Sequence, residues 1–130
     1  MKKREAELRS LFTKELKQQL PQFIVLLHYS NAAPDRSITG NGITSFYEFK
    51  HGTPDFKSPD DQEIMCSRIA AQGYCRYVIW QDRDNTKRTL IVTPAEVKNR
   101  KGWTLIPEAS CIGFDMEWLV CYIRGIHGLH

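Results

Sequence analysis

The segment ITSFYEFK, residues 43–50, carries the pattern that decides the fold. Its residues are mostly β-branched, aromatic or small, which is typical of a β-strand. Because side chains alternate along a strand, Phe46, Glu48 and Lys50 share one face, while the other two aromatic residues share the opposite face. Aromatic residues on both faces predict a largely buried strand, in which an acid and a base need a reason to be present. The simpler alternative is an exposed edge strand that carries a solvated ion pair.

Three further polar residues flank this strand. Asp35 follows Pro34 upstream, beyond a bend rich in Gly and Asn, and Gln62 lies downstream at the start of a predicted helix. Glu5 lies at the edge of the buried stripe of the first predicted helix. Each has a simpler explanation: Glu5 as a partner of the helix dipole, Asp35 as a turn residue and Gln62 as a solvent-facing residue. Taken together, an acid, an acid-x-Lys strand and a helical polar residue indicate metal-assisted phosphodiester cleavage.

The spacing of apolar residues and of turn formers predicts the remaining elements. The first half contains a helix over 3–19, a buried strand over 23–29, a loop over 31–42 and a helix from the Ser58 N-cap and Pro59 to Gly73. The second half contains strands over 74–81 and 89–93 joined by a turn, a short helix over 94–100, an extended piece over 103–106, and a helix over 114–123 closed by Gly125. With the central strand, the order is α-β-β-α-β-β-α. This order predicts a small α/β or α+β core within one domain of residues 1–130.

Composition excludes some classes of protein. At 42% hydrophobic and 25% charged residues, the chain can bury a core and remain soluble. Because it has no long apolar run and its N-terminus is charged, we expect neither a transmembrane helix nor a secretory signal, and we expect a cytoplasmic protein. The net charge of +3 permits phosphate binding without establishing it. The cysteines, Cys66, Cys75, Cys111 and Cys121, form no CxxC pair or zinc spacing, so we expect reduced and mostly buried thiols.

Phosphodiester hydrolysis requires an activated water and positive charge near the phosphorus, which Mg²⁺ or Mn²⁺ can supply. Such hard cations prefer oxygen ligands. The predicted ligands are Asp35, Glu48, the carbonyl oxygen of Phe49 and, directly or through water, Glu5. Lys50 is expected to orient the attacking water or to stabilise the pentavalent phosphorane. Gln62 is expected to hydrogen-bond the water, Lys50 or the substrate backbone, and His28 is expected to be structural or a phosphate contact.

These residues resemble the PD-(D/E)xK nuclease superfamily. Pro34 and Asp35 match the first motif, and Glu48-Phe49-Lys50 matches the second, with Glu48 thirteen residues after Asp35. The pattern looks closest to the virus-type replication-repair nuclease (VRR-NUC) branch, which is similar to archaeal Holliday junction resolvases. The remaining matches are Glu5 in the first helix, Ser58, Pro59 and Gln62 at the start of the second helix, and Gly73 before the strand over 74–80. The resemblance covers about residues 3–82, and Ala33 stands where the branch usually has Gly.

The resemblance implies a restriction-endonuclease-like α/β core, in which helices flank a central mixed β-sheet. It implies a Mg²⁺- or Mn²⁺-dependent DNA endonuclease, selective for DNA structure, and a homodimer that presents two active sites. It also implies Asp35, Glu48, Lys50, Gln62 and Glu5 as site residues. With no visible DNA-reading domain, such a nuclease would gain affinity from Lys and Arg contacts to phosphates.

Two other functions remain open from the sequence. The first is a catalytically inactive nucleic-acid-binding module on the same fold, with its acids in structural roles. This alternative is disfavoured by the presence of Asp35, Glu48 and Lys50, because a module that only binds phosphates has no need for acids that face the phosphates. The second is a small interaction protein in which the acids serve as turn and cap residues. Metal binding would separate the nuclease from both.

Overall fold

A six-stranded mixed sheet lies between two layers of helices in the computed structural model, which describes residues 2–29, 33–52, 61–99 and 102–129. The elements of these residues in chain order are α1 (Lys2–Gln19), β1 (Ile24–Leu27), β2 (Arg36–Gly40), β3 (Ile43–His51), α2 (Asp61–Gln72), β4 (Tyr74–Arg83), β5 (Thr86–Val92), α3 (Pro94–Asn99), a 3-10 turn (Gly102–Thr104), β6 (Ala109–Ile112) and α4 (Met116–Ile126). The chain is therefore an α/β protein, and the central mixed sheet predicted from the sequence is confirmed.

The strands follow one another across the sheet in the order β1-β2-β3-β4-β5-β6. Neighbouring strands are antiparallel except β3 and β4, which run parallel. Parallel neighbours need a crossover connection, and α2 lies in the segment that joins β3 to β4. Because β3 and β4 are the central pair, the strand that carries the acid and the base lies in the middle of the sheet.

Each face of the sheet packs on its own helical layer. One core contains residues of α1 and α4 together with Tyr47 and Phe49 of β3. The other core contains Cys66 of α2 and Val97 of α3, packed on β4 and β5. The Phe49 ring stacks on Trp80, with centroids 5.2 Å apart, which fixes the inward face of β3. The alternation predicted for β3 is confirmed, so Glu48 and Lys50 lie on the α2 side.

The first strands differ from the prediction in two ways. The predicted loop over 31–42 contains β2, whose sequence has a single large apolar side chain, Ile38, and therefore gives little strand signal. The predicted buried strand over 23–29 is an edge strand instead. Ile24 and Leu26 are 58% and 52% exposed, because α2 packs on β4 rather than on the outer strands.

The C-terminal third also needs corrections. The piece predicted as extended over 103–106 contains a 3-10 turn. The strand β6 is absent from the predicted order, as is β2 in the first third of the chain. The last helix does not end at Gly125 but continues to Ile126. Asp115 caps its N-terminus by accepting a hydrogen bond from the Trp118 N–H at 3.0 Å. Ser58 and Pro59, the predicted start of α2, lie outside the described residues.

A buried histidine fastens the end of α4 to the β2–β3 hairpin. The Nδ1 atom of His127 lies 2.9 Å from the Gly40 carbonyl oxygen, and Nε2 lies 2.8 Å from Ser45 Oγ. Because a carbonyl can only accept, Nδ1 carries a proton in this contact, while Nε2 shares a hydrogen bond with the Ser45 hydroxyl. The Asn41 amide adds a bond to the His127 carbonyl at 2.7 Å. These contacts hold the hairpin in a fixed position relative to α4.

Gly40→Ala is expected to destabilise the fold by about 1–3 kcal/mol, because an added methyl group would overpack the core. A Cβ built at Gly40 would lie 2.4 Å from the Phe23 ring, which is itself buried. Gly125→Ala is the matched control, since a Cβ there meets nothing within 4 Å and Ala favours a helix over Gly by about 1 kcal/mol. Thermal melts of both variants measure the difference. Equal melting temperatures would contradict the close packing at Gly40.

The structure also bears on the expected absence of a transmembrane helix and on the expected burial of the cysteines. Within the described part of the chain, no helix is both long and apolar enough to cross a bilayer. The cysteines are all free, but only Cys66 and Cys75 are buried, while Cys111 is half-buried and Cys121 is exposed. The expectation of mostly buried thiols therefore holds for two of the four.

Candidate active site

The candidate site lies where β2 separates from β3. The two strands pair as far as Arg36 and Tyr47, and β3 then continues alone along β4. At this fork the Asp35 N–H donates to Glu48 Oε1 at 3.0 Å, and the Phe49 N–H donates to Asp35 Oδ2 at 2.9 Å. The Asp35 carboxylate therefore accepts the backbone hydrogen bond of β3 that a carbonyl oxygen would accept if β2 continued. The structure thus brings Asp35 and Glu48 together, and their role as metal ligands stays a prediction.

Lys50 completes the arrangement on the same face of β3. Its Nζ atom lies 3.4 Å from Glu48 Oε2. The side chain of Glu48 is only 3% exposed, whereas those of Lys50 and Asp35 are 28% and 18% exposed. The Glu48 carboxylate is therefore the buried group of the site, whereas the Asp35 carboxylate and the Lys50 ammonium both reach solvent.

A pair of residues on α1 extends the cluster. Arg9 Nη1 lies 3.5 Å from Glu5 Oε1 and 3.7 Å from Asp35 Oδ2, so the guanidinium bridges the two acids. Glu5 thus lies near the site, as predicted, and its contact to Asp35 runs through Arg9. The sequence reasoning missed Arg9, although it follows Glu5 by four residues and shares its helix face.

The backbone of Asp35 is held from several directions. Its carbonyl oxygen accepts from the His28 N–H at 3.0 Å and from Arg36 Nη1 at 2.9 Å. Arg36 is only 7% exposed, and its Nε donates to Thr13 Oγ1 on α1 at 3.3 Å. Arg36 is a second residue that the sequence reasoning missed, since an arginine beside a turn looks like a surface charge. Asp35 is therefore a fixed point of the fold rather than a mobile turn residue.

Gln62 makes a contact that differs in kind from its predicted role. Its Nε2 donates to the Ala33 carbonyl oxygen at 3.1 Å, two residues before Asp35. This bond ties the first turn of α2 to the segment that carries the acid. Gln62 therefore acts as a positioning residue in this geometry, and a contact with water, Lys50 or substrate stays a prediction.

Burial and neighbouring charges shift the pKa values of the acids and of the lysine in this cluster. Burial raises the pKa of Glu48 to about 9, and the Asp35 carboxylate adds to the increase, while the Lys50 ammonium opposes it. Burial also raises the pKa of Glu5, against the effect of Lys50. Burial alone would lower the pKa of Lys50, but Glu48 and Glu5 outweigh it, so that pKa is raised. Glu48 therefore keeps its proton near neutral pH in the metal-free protein, and a cation that bound there would replace that proton.

The donor set fits a hard divalent ion. In the described residues, no group of three or more His, Cys, Asp or Glu side chains is placed to hold a metal. Mg²⁺ is usually held by one or two carboxylates and keeps several waters, so Asp35 and Glu48 alone meet its needs. Direct ligation by Glu5 is therefore not required. The predicted carbonyl ligand, Phe49, faces the Asp35 edge of β3, because the N–H and C=O of one strand residue point the same way.

Comparison with known proteins leaves the function of the site open. No protein-family model matches the chain, and a search of the curated proteins found no match. The contacts among Asp35, Glu48, Lys50 and their neighbours are therefore the basis for any functional assignment.

Proposed function

We propose that this protein is a divalent-metal-dependent DNA endonuclease with a restriction-endonuclease-like core. The observation that carries the proposal is that Glu48 contacts both the backbone N–H of Asp35 and the Lys50 ammonium at the fork between β2 and β3. Two carboxylates and an ammonium at one point suit the cleavage of a phosphodiester, which needs both a metal site and a cation for the developing charge. The motif order in the sequence, which resembles PD-(D/E)xK nucleases, supports the same assignment.

Each residue has a part in this proposal. Asp35 and Glu48 would hold Mg²⁺ or Mn²⁺, with the Phe49 carbonyl as a further oxygen. The bound ion would supply positive charge at the phosphate and lower the pKa of a coordinated water. Lys50, on the solvent side of Glu48, orients the water or donates to the phosphate oxygen that gains charge. Arg9 and Gln62 position Asp35, and Glu5 contacts the cluster through Arg9.

The substrate and assembly follow from the same proposal. Lys and Arg contacts to phosphates would supply affinity for DNA, and the shape of the DNA would supply selectivity. A homodimer would present two sites to two strands. We propose a cytoplasmic setting, which fits the free thiols.

The test is cleavage of a labelled panel of junctions, flaps, single strands and supercoiled plasmid. We expect products with Mg²⁺ or Mn²⁺ and none with chelator, because the carboxylates alone supply no positive charge. Calorimetric titration with Mn²⁺ is expected to show one saturable site that is lost in Glu48→Gln. The inactive binding module on the same fold would bind the panel without cleaving it. Absence of both Mn²⁺ binding and cleavage would overturn the proposal.

A further inference from the structure

A groove lies beside α2, next to the strand that carries the candidate site. It encloses about 510 Å³ between α2 and the first half of β3. Its described lining residues include Thr44, Phe46, Met65, Arg68, Ile69 and Gln72. The groove is mostly apolar, and Arg68 is the one charged residue among the described residues that line it. A polyanion with apolar rings fits such a surface better than a cationic peptide does.

Phe46, which lines the groove, lies two residues before Glu48 of the candidate site on β3. Thr44 and Phe46 share a face of the strand with Glu48 and Lys50, because side chains of alternate residues point the same way. Phe46 and Glu48 are two residues apart, so their Cα atoms are separated by about 7 Å. A ligand whose phosphate lies at Glu48 therefore reaches Phe46 within the length of one nucleotide.

Two aromatic rings stand at this position. The His28 ring stacks with the Phe46 ring, with centroids 6.4 Å apart and planes inclined by 29°. His28 is fixed by Ser37, whose Oγ lies 2.9 Å from Nε2. Ser37 and Leu26 follow Phe46 across the sheet on the same face, and Leu26 is 52% exposed. Phe46, which lines the groove, is thus held in an aromatic pair with His28 and has exposed apolar surface beside it.

We propose that this groove binds an unstacked nucleobase of the nucleotide next to the scissile phosphate, with the base against Phe46. A base within a DNA duplex already stacks on both of its neighbours. Only a base that has left the duplex can therefore enter the groove between α2 and the sheet. Arg68 at the groove contacts the phosphate backbone of the same strand. The proposal deepens the proposed nuclease function, on which it rests, by naming unpaired nucleotides as its substrate.

The test compares Phe46→Leu with Phe46→Tyr, which keeps an aromatic ring. The probe is a single-stranded oligonucleotide with one 2-aminopurine, titrated in chelator and followed by its fluorescence. Phe46→Leu is expected to weaken binding of the single strand about tenfold and to remove the fluorescence change, because a stacked base contributes on this scale. Phe46→Tyr is expected to stay within about twofold of the wild type, and duplex binding is expected to be equal in all three proteins.

A second measurement uses the wild-type protein alone, in case Phe46→Leu folds poorly. Photo-crosslinking of a 5-iodouracil strand is expected to label Phe46 or its neighbours in the groove. Equal single-strand binding by wild type and Phe46→Leu, no crosslink in the groove, or capture of an apolar peptide there in place of a base would overturn the proposal.

The outcomes also separate this proposal from the nuclease itself. Metal-dependent cleavage with no effect of Phe46→Leu on the preference for unpaired strands would leave the nuclease standing and refute the base subsite. Phe46-dependent binding without any cleavage would refute the nuclease and leave a subsite for unpaired nucleotides.

Discussion

Asp35→Asn is expected to lower Mg²⁺-dependent DNA cleavage about a thousandfold or more, because it removes one of the two carboxylate charges of the site. The substitution keeps an acceptor oxygen for the Phe49 N–H, which lies 2.9 Å from Asp35 Oδ2. It also keeps the bond from the backbone N–H of residue 35 to Glu48. The fold should therefore persist, and the loss should come from the missing charge. The measurement is the initial rate of plasmid nicking, with circular dichroism to verify folding.

Asp84→Asn is the matched control for this variant. Asp84 is an exposed acid in the turn between β4 and β5, and its φ of 51° suits an asparagine. The same change of charge far from the fork is expected to leave the cleavage rate within about twofold, since surface charges away from a site have small effects. Nicking by Asp35→Asn at the wild-type rate would remove Asp35 from the site.

Glu48→Gln is expected to stabilise the metal-free protein at neutral and alkaline pH, although it removes a candidate ligand. Glu48 is buried and its pKa is raised to about 9, so ionising it within the fold is costly. Glutamine retains the oxygen that accepts from the Asp35 N–H and has no charge to bury. A site that holds a buried acid gives up stability for function, and the variant should recover that stability.

The pH dependence of this effect has a definite sign. The pKa of Glu48 in the folded protein, about 9, is higher than the 4.5 of an exposed glutamate. The stability contributed by the neutral carboxyl is complete below the lower value and is lost as pH rises through the higher one. Glutamine does not titrate, so the melting temperature of the variant should exceed that of the wild type by an amount that grows from about pH 5 to about pH 9. At the upper end we expect a difference of roughly 5 °C or more.

Thermal melts in chelator across this pH range measure the effect, and added Mn²⁺ should reverse it. A metal that binds only the folded wild type raises its melting temperature, whereas Glu48→Gln should respond weakly. Glu117→Gln, an exposed acid in the first turn of α4, is the control and should show no such growth with pH. A Glu48→Gln protein that melts below the wild type at about pH 9 in chelator would refute the cost assigned to the buried acid.

The helices and strands were predictable where the local residue pattern was strong enough to determine the element without its tertiary neighbours. β3 has aromatic residues on both faces, and α1 has a regular apolar stripe, so both elements were predicted close to their observed bounds. β2 and β6 were not, because each is short and has one large apolar side chain, and their pairing is decided by neighbouring strands. The exposure of β1 depends on where α2 packs, which is a tertiary property that a local apolar run does not reveal.

The candidate site was predictable in part for a related reason. Asp35, Glu48 and Lys50 were identified from motif order, and they do meet in the fold. Their supporting residues, Arg9 and Arg36, were not identified, because an arginine on a helix or beside a turn is most often solvated. The contacts that bury Arg36 span 23 residues of sequence to Thr13, and no periodicity encodes a contact of that range.

The tight turn at the tip of the β2–β3 hairpin has an evolutionary consequence. Asn41 and Gly42 have φ angles of 54° and 77°, the left-handed conformations that close a two-residue hairpin. Asp35 and Glu48 stand at the open ends of the two arms, so a single-residue insertion or deletion in either arm would move one acid out of register with the other, and in the β3 arm it would turn Glu48 to the opposite side of the sheet. Distant relatives should therefore keep an interval of thirteen residues between these acids, even where the intervening amino acids have changed beyond recognition.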